Sequence, residues 1–188
     1  RGMDETRGFI CDARIGSNVT KIGESFYLCF GLRTITIPNT VTEIVAVDTG
    51  KFVSTEFAEV VTIPSSITDL SRAAIEAKNI ILPNTITTMA GVTASHAINF
   101  PSSLESITGS LVLPKRQNFA FLSKLYSKVF LEICGTEKLV VPDNLSSRIE
   151  IISNDLKELR VSVESVIIDC PNLKKLILEE GVKSISVP

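Results

Sequence analysis

The sequence predicts a β-rich solenoid in which short strands from successive repeats stack into a parallel sheet. Two observations support this prediction. One ten-residue pattern recurs along the 188-residue chain, as in ITIPNTVTEI at 35–44, VTIPSSITDL at 61–70 and INFPSSLESI at 98–107. The hydrophobic content is 44%, supplied mainly by Ile, Val and Leu, and Trp is absent. Aliphatic side chains without large aromatic rings suit a core built of many thin, similar layers.

Each repeat is centred on a proline, which we define as position 0. Apolar residues precede it at positions −3 and −1, an alternation that places both side chains on one face of a short strand. Proline then ends the strand, because it donates no hydrogen bond and fixes φ. Small turn-forming residues follow, and apolar residues return at +3 and +6. The −3/−1 pairs are Ile35/Ile37, Val61/Ile63, Ile80/Leu82, Ile98/Phe100, Leu111/Leu113 and Leu139/Val141.

A single repeat is too small to fold alone. It buries about four or five aliphatic side chains, which contribute roughly 1.5–3 kcal/mol each. Ordering its backbone costs on the order of 1–2 kcal/mol for each of about twenty residues. Neighbouring copies must therefore supply the missing burial and the strand hydrogen bonds, so the repeats are expected to stack in parallel.

The repeat spacing predicts one continuous array over residues 1–188, with both ends of the sequence interrupting the pattern as in a piece of a longer chain. Steps between repeats average about 20 residues, which is within the range of short solenoid repeats. The position-0 residues are Gly16, Pro38, Pro64, Pro83, Pro101, Pro114, Pro142, Ser162 and Glu179.

Residues 115–133 interrupt this spacing and are expected to form an irregular insertion. The step from Pro101 to Pro114 is too short for a full repeat, and the step from Pro114 to Pro142 is too long for one. Apolar residues between 122 and 133 recur at the spacing of an amphipathic helix. The segment KVFLEI (128–133) is equally compatible with another strand, so both alternatives stay open.

The spacing L-x-x-L-x-L resembles that of leucine-rich repeats. It occurs at Leu32/Ile35/Ile37, Leu156/Leu159/Val161 and Leu173/Leu176/Leu178. The stretch at 19–44 resembles the BspA-like class more specifically, in which I-G-x-x-A-F-x-x-C-x-x-L-x-x-I-x-I-P-x-x-V-x-x-I recurs. Its matching residues are Ile22, Gly23, Phe26, Cys29, Leu32, Ile35, Ile37, Pro38, Val41 and Ile44.

This resemblance implies a curved right-handed leucine-rich-repeat solenoid with one parallel β-sheet and short irregular or helical segments on the other side. Members of the class are known from host-associated bacteria and protozoan parasites, often as surface proteins that adhere to host or bacterial partners. The resemblance therefore implies a cell-surface or secreted location. Most repeats here lack the Gly, Phe and Cys positions, and a cytoplasmic scaffold is the alternative.

The chemistry of an enzyme is not expected from this sequence. His96 is the single histidine, and no nucleophile motif accompanies it. The four cysteines are scattered and are expected to be buried thiols rather than zinc ligands. No glycine-rich phosphate loop or calcium loop is present, so no metal or cofactor is predicted.

Charge and hydropathy exclude two further classes of partner. The net charge is −2, and no cluster of Lys and Arg alternates with aromatic residues, which argues against nucleic acid. No run of 18 or more apolar residues occurs, so membrane insertion is not expected.

The function predicted from these observations is non-catalytic recognition of another protein, from a host or from the same organism, by the open face of the stacked strands. Because −3 and −1 face inward, −2 faces outward. Ile81, Val112 and Val140 at −2 are expected to form an apolar strip, unless the insertion covers it. The candidate protein-binding residues are Arg33, Thr36, Thr62, Ile81, His96, Asn99, Val112, Val140, Arg160 and Ile177.

The alternative function is a structural spacer or stalk without a dedicated binding site. A repeat array presents unpaired strand edges at its ends, and such edges can pair with another chain. Self-association through exposed solenoid ends is the behaviour expected from this alternative.

Overall fold

The computed structural model describes residues 11–23, 26, 29–46, 51–54, 58–114, 119–125, 129–141 and 148–188. In this part of the chain, nineteen short strands wind into a parallel β-solenoid of about eight turns, with almost no helix. The solenoid of stacked parallel strands predicted from the sequence is therefore confirmed. Within the same ranges, no helix has the length and apolar character needed to cross a membrane.

The strands are two to eight residues long. In chain order they are β1 Asp12–Arg14, β2 Lys21–Ile22, β3 Thr34–Thr36, β4 Glu43–Ile44, β5 Lys51–Ser54, β6 Val60–Thr62, β7 Asp69–Leu70, β8 Ala74–Ile81, β9 Thr88–Met89, β10 Val92–Asn99, β11 Ser106–Ile107, β12 Ser110–Leu113, β13 Val129–Ile133, β14 Lys138–Val140, β15 Ile149–Ile152, β16 Glu158–Val161, β17 Ser165–Asp169, β18 Lys175–Leu178 and β19 Ser184–Ser186.

The described strands form four sheets. The main sheet has eleven strands in the order β1-β3-β6-β8-β10-β12-β13-β15-β17-β19, with β5 added beside β8. Two three-stranded sheets, β7-β9-β11 and β14-β16-β18, and the pair β2-β4 complete the set. Strands therefore line more than one side of the coil, whereas the sequence predicted one sheet opposite irregular segments. The difference arises because the chain around position +6 is also extended and pairs with its copy in the next turn.

The core is built by the inward positions of the repeat. The −3 residues that precede the six prolines are almost completely buried, from Ile35 at 5% exposed to Val61 at 0%. The residues at +3 and +6, such as Ile67 and Leu70, are equally inaccessible. Each turn thus contributes a thin aliphatic layer that the turns above and below it cover. Because every layer needs its neighbours, the stability of the array depends on stacking.

Hydroxyl groups join successive turns at the corner that follows each proline. At position +2, the Thr85 Oγ1 atom donates to the carbonyl oxygen of Ile67 at 2.8 Å, and Ser103 Oγ donates to that of Ile86 at 2.7 Å. Ser66 donates in the same way to Val41. The preference for Ser and Thr after Pro-Asn or Pro-Ser therefore has a structural cause, since the hydroxyl satisfies a partly buried carbonyl group.

Strands β8 and β10 pass from one side of the coil to the other. The first halves of β8 and β10 pair with each other, and they also pair with β5 and β12, respectively. The second half of β8 pairs with β6. The register between β8 and β10 shifts between Ala94 and Ala97, so that Ser95 and His96 stand opposite Lys78 alone. Such a bulge bends a strand, and here it separates the two halves of the main sheet.

The segment 115–133 contains one short helix and one strand. Ala120–Lys124 form a 3-10 helix, and the Phe121 ring stacks on Phe100 with 3.9 Å between ring centroids. Val129–Ile133 form β13, which pairs with β12 and β15. Of the two alternatives for KVFLEI, the strand is therefore the observed one from Val129 onward. A continuous amphipathic helix does not extend through Val129–Ile133. Residues 115–118 and 126–128 lie outside the described part of the chain.

Ion pairs connect neighbouring turns along the surface. Lys21 Nζ lies 2.9 Å from Glu43 Oε1, and Lys138 Nζ lies 3.0 Å from Glu158 Oε1. The facing residues are paired in the parallel register of β2 with β4 and of β14 with β16. Exposed pairs of this kind contribute little to stability. They do favour the observed register, because a shifted register would lose the matched charges.

Candidate protein-binding surface

One group of the predicted residues forms a continuous row on the solenoid. Thr36, Thr62, Ile81 and Asn99 lie on β3, β6, β8 and β10, which are neighbours in the main sheet. Thr62 is paired with Ile81, and Ile81 with Asn99. All four side chains are exposed, and Ile81 is 54% exposed despite being aliphatic. We call the outward surface of these four strands the strand face.

A second outward row lies two residues away on the same strands. It contains Thr34, Val60, Asn79 and Ala97, in which Val60 is paired with both Thr34 and Asn79. Val60 is 37% exposed and adds apolar area to the strand face. The sequence interpretation did not select this row. The same alternation that identified position −2 also applies at −4 and could have found it.

A charged rim borders the strand face. Lys78 Nζ lies 2.6 Å from Glu59 Oε1, and the hydrogen bond from Lys78 lowers the pKa of Glu59 from its usual 4.5. Electrostatic interactions with Lys78, His96 and Arg33 lower that pKa further, whereas desolvation opposes the change. The predicted residues Arg33 and His96 are therefore both close enough to influence Glu59. Together the four side chains form a mixed-sign border in which cations outnumber the single carboxylate.

Val112 lies on a different side of the coil from the strand face. It is half-buried on β12, where it is paired with Thr93 in the first half of β10 and with Glu132 in β13. The sequence prediction aligned the repeats on their prolines, and it therefore treated the strand before Pro114 as equivalent to the strand before Pro101. The short stretch of chain between these prolines completes only part of a turn, so the strand before Pro114 joins the other half of the main sheet.

Val140, Arg160 and Ile177 form a separate row on the sheet β14-β16-β18. Val140 is 51% exposed, Ile177 is half-buried, and Arg160 Nε pairs with Glu179 in the next turn. In the described structure, the predicted apolar strip of Ile81, Val112 and Val140 is therefore distributed over three groups of strands. Six of the ten predicted residues belong to the strand face and its rim, and four do not.

The described part of the chain offers little for catalysis. Ser95 Oγ lies 3.0 Å from His96 Nδ1, and a cavity of about 410 Å³ beside them also contains Cys134. Partial desolvation raises the pKa of the Cys134 thiol although the residue is exposed, and the charges of Glu132 and Asp155 raise it further, so the sulfur is held in its protonated form. No group of three or more His, Cys, Asp or Glu side chains in these ranges could hold a metal ion.

The four cysteines, all of which the structure describes, differ in burial. Cys29 is buried and Cys170 half-buried, in agreement with a packing role, whereas Cys11 and Cys134 are exposed. The expectation that all four are buried was wrong for these two. Neither occupies the Cys position of the repeat that Cys29 and Cys170 share, so no inward position directs them to the core.

The comparison with known families rests on the repeat itself. The family description "BspA type leucine rich repeat region" matches residues 9–122 with six copies of the repeat. The chain belongs to this BspA-type leucine-rich repeat family. The resemblance seen in residues 19–44 is thereby confirmed and extended over more than half of the chain. Repeats of this family typically mediate protein–protein interaction and are generally non-catalytic.

Solved structures include a protein of similar type. A leucine-rich repeat protein from Bacteroides ovatus is 17% identical to this BspA-type chain, with a TM-score of 0.43. The alignment covers 94% of this chain and 63% of the Bacteroides protein, so the chain spans less than two thirds of that protein's length. No sequence among the curated proteins matches the chain.

Proposed function

We propose that this chain is a non-catalytic protein-recognition module, adhesive or scaffolding in role, that binds its partner through the strand face. The observation that carries the proposal is the in-register row of Thr36, Thr62, Ile81 and Asn99 on four adjacent strands. The resemblance to surface adhesins supports a location at the cell surface, with a cytoplasmic scaffold as the alternative.

The side chains of the strand face are suited to binding at low entropic cost. Thr36, Thr62, Ile81 and Val60 are all β-branched, so each has a restricted χ1 angle before a partner arrives. Immobilising a flexible side chain at an interface costs about 0.5–1.5 kcal/mol, and rigid side chains avoid much of that cost. The backbone beneath them is fixed by strand pairing on both sides. The face is therefore organised before binding.

The rim supplies polarity around this apolar centre. Ile81 and Val60 are the exposed aliphatic residues, and Arg33, Glu59, Lys78 and His96 border the same strands. An apolar centre with a polar border is the usual arrangement of a protein interface. The excess of cations on this rim favours a partner with an acidic patch, because complementary charge accelerates association.

The proposal is tested by charge insertion at the centre of the face. Ile81→Lys should abolish capture of a specific partner from lysates of host cells and of the source organism, while the melting temperature stays unchanged. Val140→Lys is the matched control, since Val140 is similarly exposed at 51% but lies on the sheet β14-β16-β18. Loss of capture by Val140→Lys but not by Ile81→Lys would transfer the recognition surface to that sheet.

A second candidate function, a self-associating spacer, is favoured by the last turn. Leu176, Leu178 and Ile185 are 37%, 45% and 42% exposed, although the equivalent residues Leu159 and Val161 of the preceding turn are completely buried. The edges of β18 and β19 are also open to pairing in the described structure. Apolar surface of this kind is covered either by a further turn of the same chain or by contact with another copy of the chain.

Sedimentation distinguishes the two candidates. A spacer that self-associates through this end should form concentration-dependent oligomers that Leu178→Lys dissociates. A recognition module should remain monomeric over the same concentrations and still bind its partner. Ile81→Lys serves as the control in sedimentation, because it alters the strand face and leaves the last turn intact.

A further inference from the structure

A different surface lies on the other half of the main sheet, at the carboxyl ends of its strands. Val112, Glu132, Ile152 and Asp169 occupy neighbouring strands β12, β13, β15 and β17 and are paired in that order. The row is alternately apolar and acidic. Glu132 and Asp169 are exposed, Ile152 is 41% exposed and Val112 is half-buried. We call these four side chains the alternating row.

The strands that carry the alternating row supply no cation to balance its carboxylates. Strands β12, β13, β15, β17 and β19 contain no Lys or Arg, whereas the sheet β14-β16-β18 pairs Lys138 and Lys175 with Glu158. The residue that precedes β15 is Arg148, which carries a positive charge. At about 3.3 Å per residue, its Cα lies roughly 13 Å along the strand from the row. On these described strands, carboxylates of one sign therefore stand where Lys–Glu pairs join the turns of the sheet β14-β16-β18.

Desolvation and the carboxylates of the row raise the pKa values of two nearby cysteine thiols. Partial desolvation is the main cause that raises the pKa of Cys134, and the carboxylates of Glu132 and Asp155 add to it. Burial likewise raises the pKa of Cys170, and the carboxylate of Asp169 adds to it, against a hydrogen bond at Ser153 that acts the other way. These cysteines follow β13 and β17, and both are in a negative field.

Concave space adjoins the Val112 end of the row. A cavity of about 400 Å³ is lined by Glu76, Thr93, Val112 and Glu132, among others. The neighbouring cavity of about 410 Å³ has mainly apolar walls, which include Val112, Leu113 and Pro114. Thr93 and Val112 belong to both cavities. The two cavities therefore adjoin each other, and we call them together the groove; Glu76 and Glu132 are among the residues that line one of them.

We propose that this groove and the alternating row form a second docking surface, which binds a basic, extended segment of a partner protein. Apolar side chains of the segment enter the cavity at Val112 and contact Ile152, while Lys or Arg side chains pair with Glu132 and Asp169. The alternating row and the strand face lie on different halves of the main sheet, and His96, in the rim of the strand face, also lines the cavity at Val112. Charge complementarity selects a cationic polypeptide, since an acidic or neutral segment would leave the carboxylates without compensation.

The spacing of the row specifies the pattern of the segment. Glu132 and Asp169 are two strands apart, which corresponds to about 9.6 Å between strand axes. In the polyproline II conformation a chain advances about 3.1 Å per residue with three residues per turn, so residues three apart lie on the same side and about 9.3 Å apart. A segment that crosses the strands with a cation at every third position, and aliphatic residues between, can therefore contact both carboxylates.

The test uses a synthetic peptide of about twelve residues with the repeat Lys-Val-Pro, in which proline favours the polyproline II conformation and places the lysines on one side. Calorimetry should show binding that weakens as salt increases. Amide shifts in the NMR spectrum should be concentrated at Val112, Glu132, Ile152 and Asp169. The double variant Glu132→Gln/Asp169→Asn should weaken binding at least tenfold without changing the melting temperature.

Matched controls separate this surface from non-specific attraction and from the proposed function. Glu43→Gln/Glu105→Gln removes the same number of exposed carboxylates elsewhere and should leave the affinity within twofold, as should Ile81→Lys on the strand face. The proposal is overturned if the peptide fails to bind, if both double variants weaken binding equally, or if its shifts lie on other strands. Concentration-dependent dimers that only Glu132→Gln/Asp169→Asn dissociates would assign the row to a second copy of the chain and would equally overturn it.

Discussion

The hydroxyl of Thr85 donates a 2.8 Å hydrogen bond to the carbonyl oxygen of Ile67 in the preceding turn of the solenoid. Ser103 repeats the contact one turn later, with Ile86 as acceptor at 2.7 Å. In both contacts the donor is at +2 and the acceptor at +3 of the neighbouring repeat. These bonds hold the corners of adjacent turns in register at a place where proline has ended the strand.

Removing one of these donors should measurably destabilise the array. Thr85→Val retains the shape of the side chain but leaves the half-buried carbonyl of Ile67 without this donor. The expected loss is about 0.5–1.5 kcal/mol in the free energy of unfolding, measured with urea. Thr40→Val provides the control, because Thr40 is at the same repeat position but is exposed. Equal losses in the two variants would show that the hydrogen bond is not the cause.

Two glycines should respond in opposite ways to alanine. A Cβ atom at Gly109 would lie 2.1 Å from the Ala90 carbonyl oxygen, which belongs to the backbone of the neighbouring turn and cannot rotate away. We expect Gly109→Ala to lower the free energy of unfolding by about 2 kcal/mol or more. Gly16 has no atom within 4 Å of such a Cβ. Gly16→Ala should therefore be neutral, or stabilising by up to about 1 kcal/mol, because it restricts the unfolded chain.

Adjacent isoleucines in β8 should differ sharply in their tolerance of charge. Ile80 is 2% exposed and points into the core, whereas Ile81 is 54% exposed on the strand face. Ile80→Lys should cost at least about 4 kcal/mol, because it buries an unpaired charge. Ile81→Lys should change stability by less than about 0.5 kcal/mol. Thermal unfolding of the two variants checks the alternation directly, and similar melting temperatures would contradict the assigned orientation.

The pair of Glu59 and Lys78 should give the rim a dependence on pH. The hydrogen bond from Lys78 lowers the pKa of Glu59 below 4.5 in the folded state. A lowered folded pKa stabilises the protein above the unfolded value, and this stabilisation is lost as pH falls through the folded value. Lys78→Met should move the Glu59 titration midpoint upward and reduce the loss of stability on acidification. Carbon-detected NMR titration of the side-chain carboxylates measures this midpoint in the wild-type protein and in the variant.

An internal control is available in the same titration. The pKa of Glu158 is lowered chiefly by its hydrogen bond to Lys138, with a further contribution from Lys175. These residues belong to the sheet β14-β16-β18, so Lys78→Met should leave the midpoint of Glu158 unchanged. A shift of both carboxylates would indicate a global change in structure rather than the loss of one ion pair.

The burial pattern could be predicted from the sequence because it is a local property. Alternation with period two decides which side chains of a strand share a face, whatever the strand pairs with. Ile35, Val61 and Ile80 are therefore buried as expected, and Thr36, Thr62 and Ile81 are exposed. The same reasoning applied to position −4 would also have identified Val60. For 115–133, the apolar spacing fitted both a helix and a strand, and pairing of β13 with β12 and β15 decided for the strand at Val129–Ile133.

Which outward residues share one surface was decided only by the tertiary structure. Thr62 and Ile81 meet because their strands belong to successive turns and exchange hydrogen bonds, whereas Val112 and Val140 belong to strands on other sides of the coil. The alternating row is a further example, since its four members come from four separate turns. By itself, the sequence determined the repeat, its inward face and the family. Strand pairing is a contact between distant residues, so the composition of each binding surface required the assembled coil.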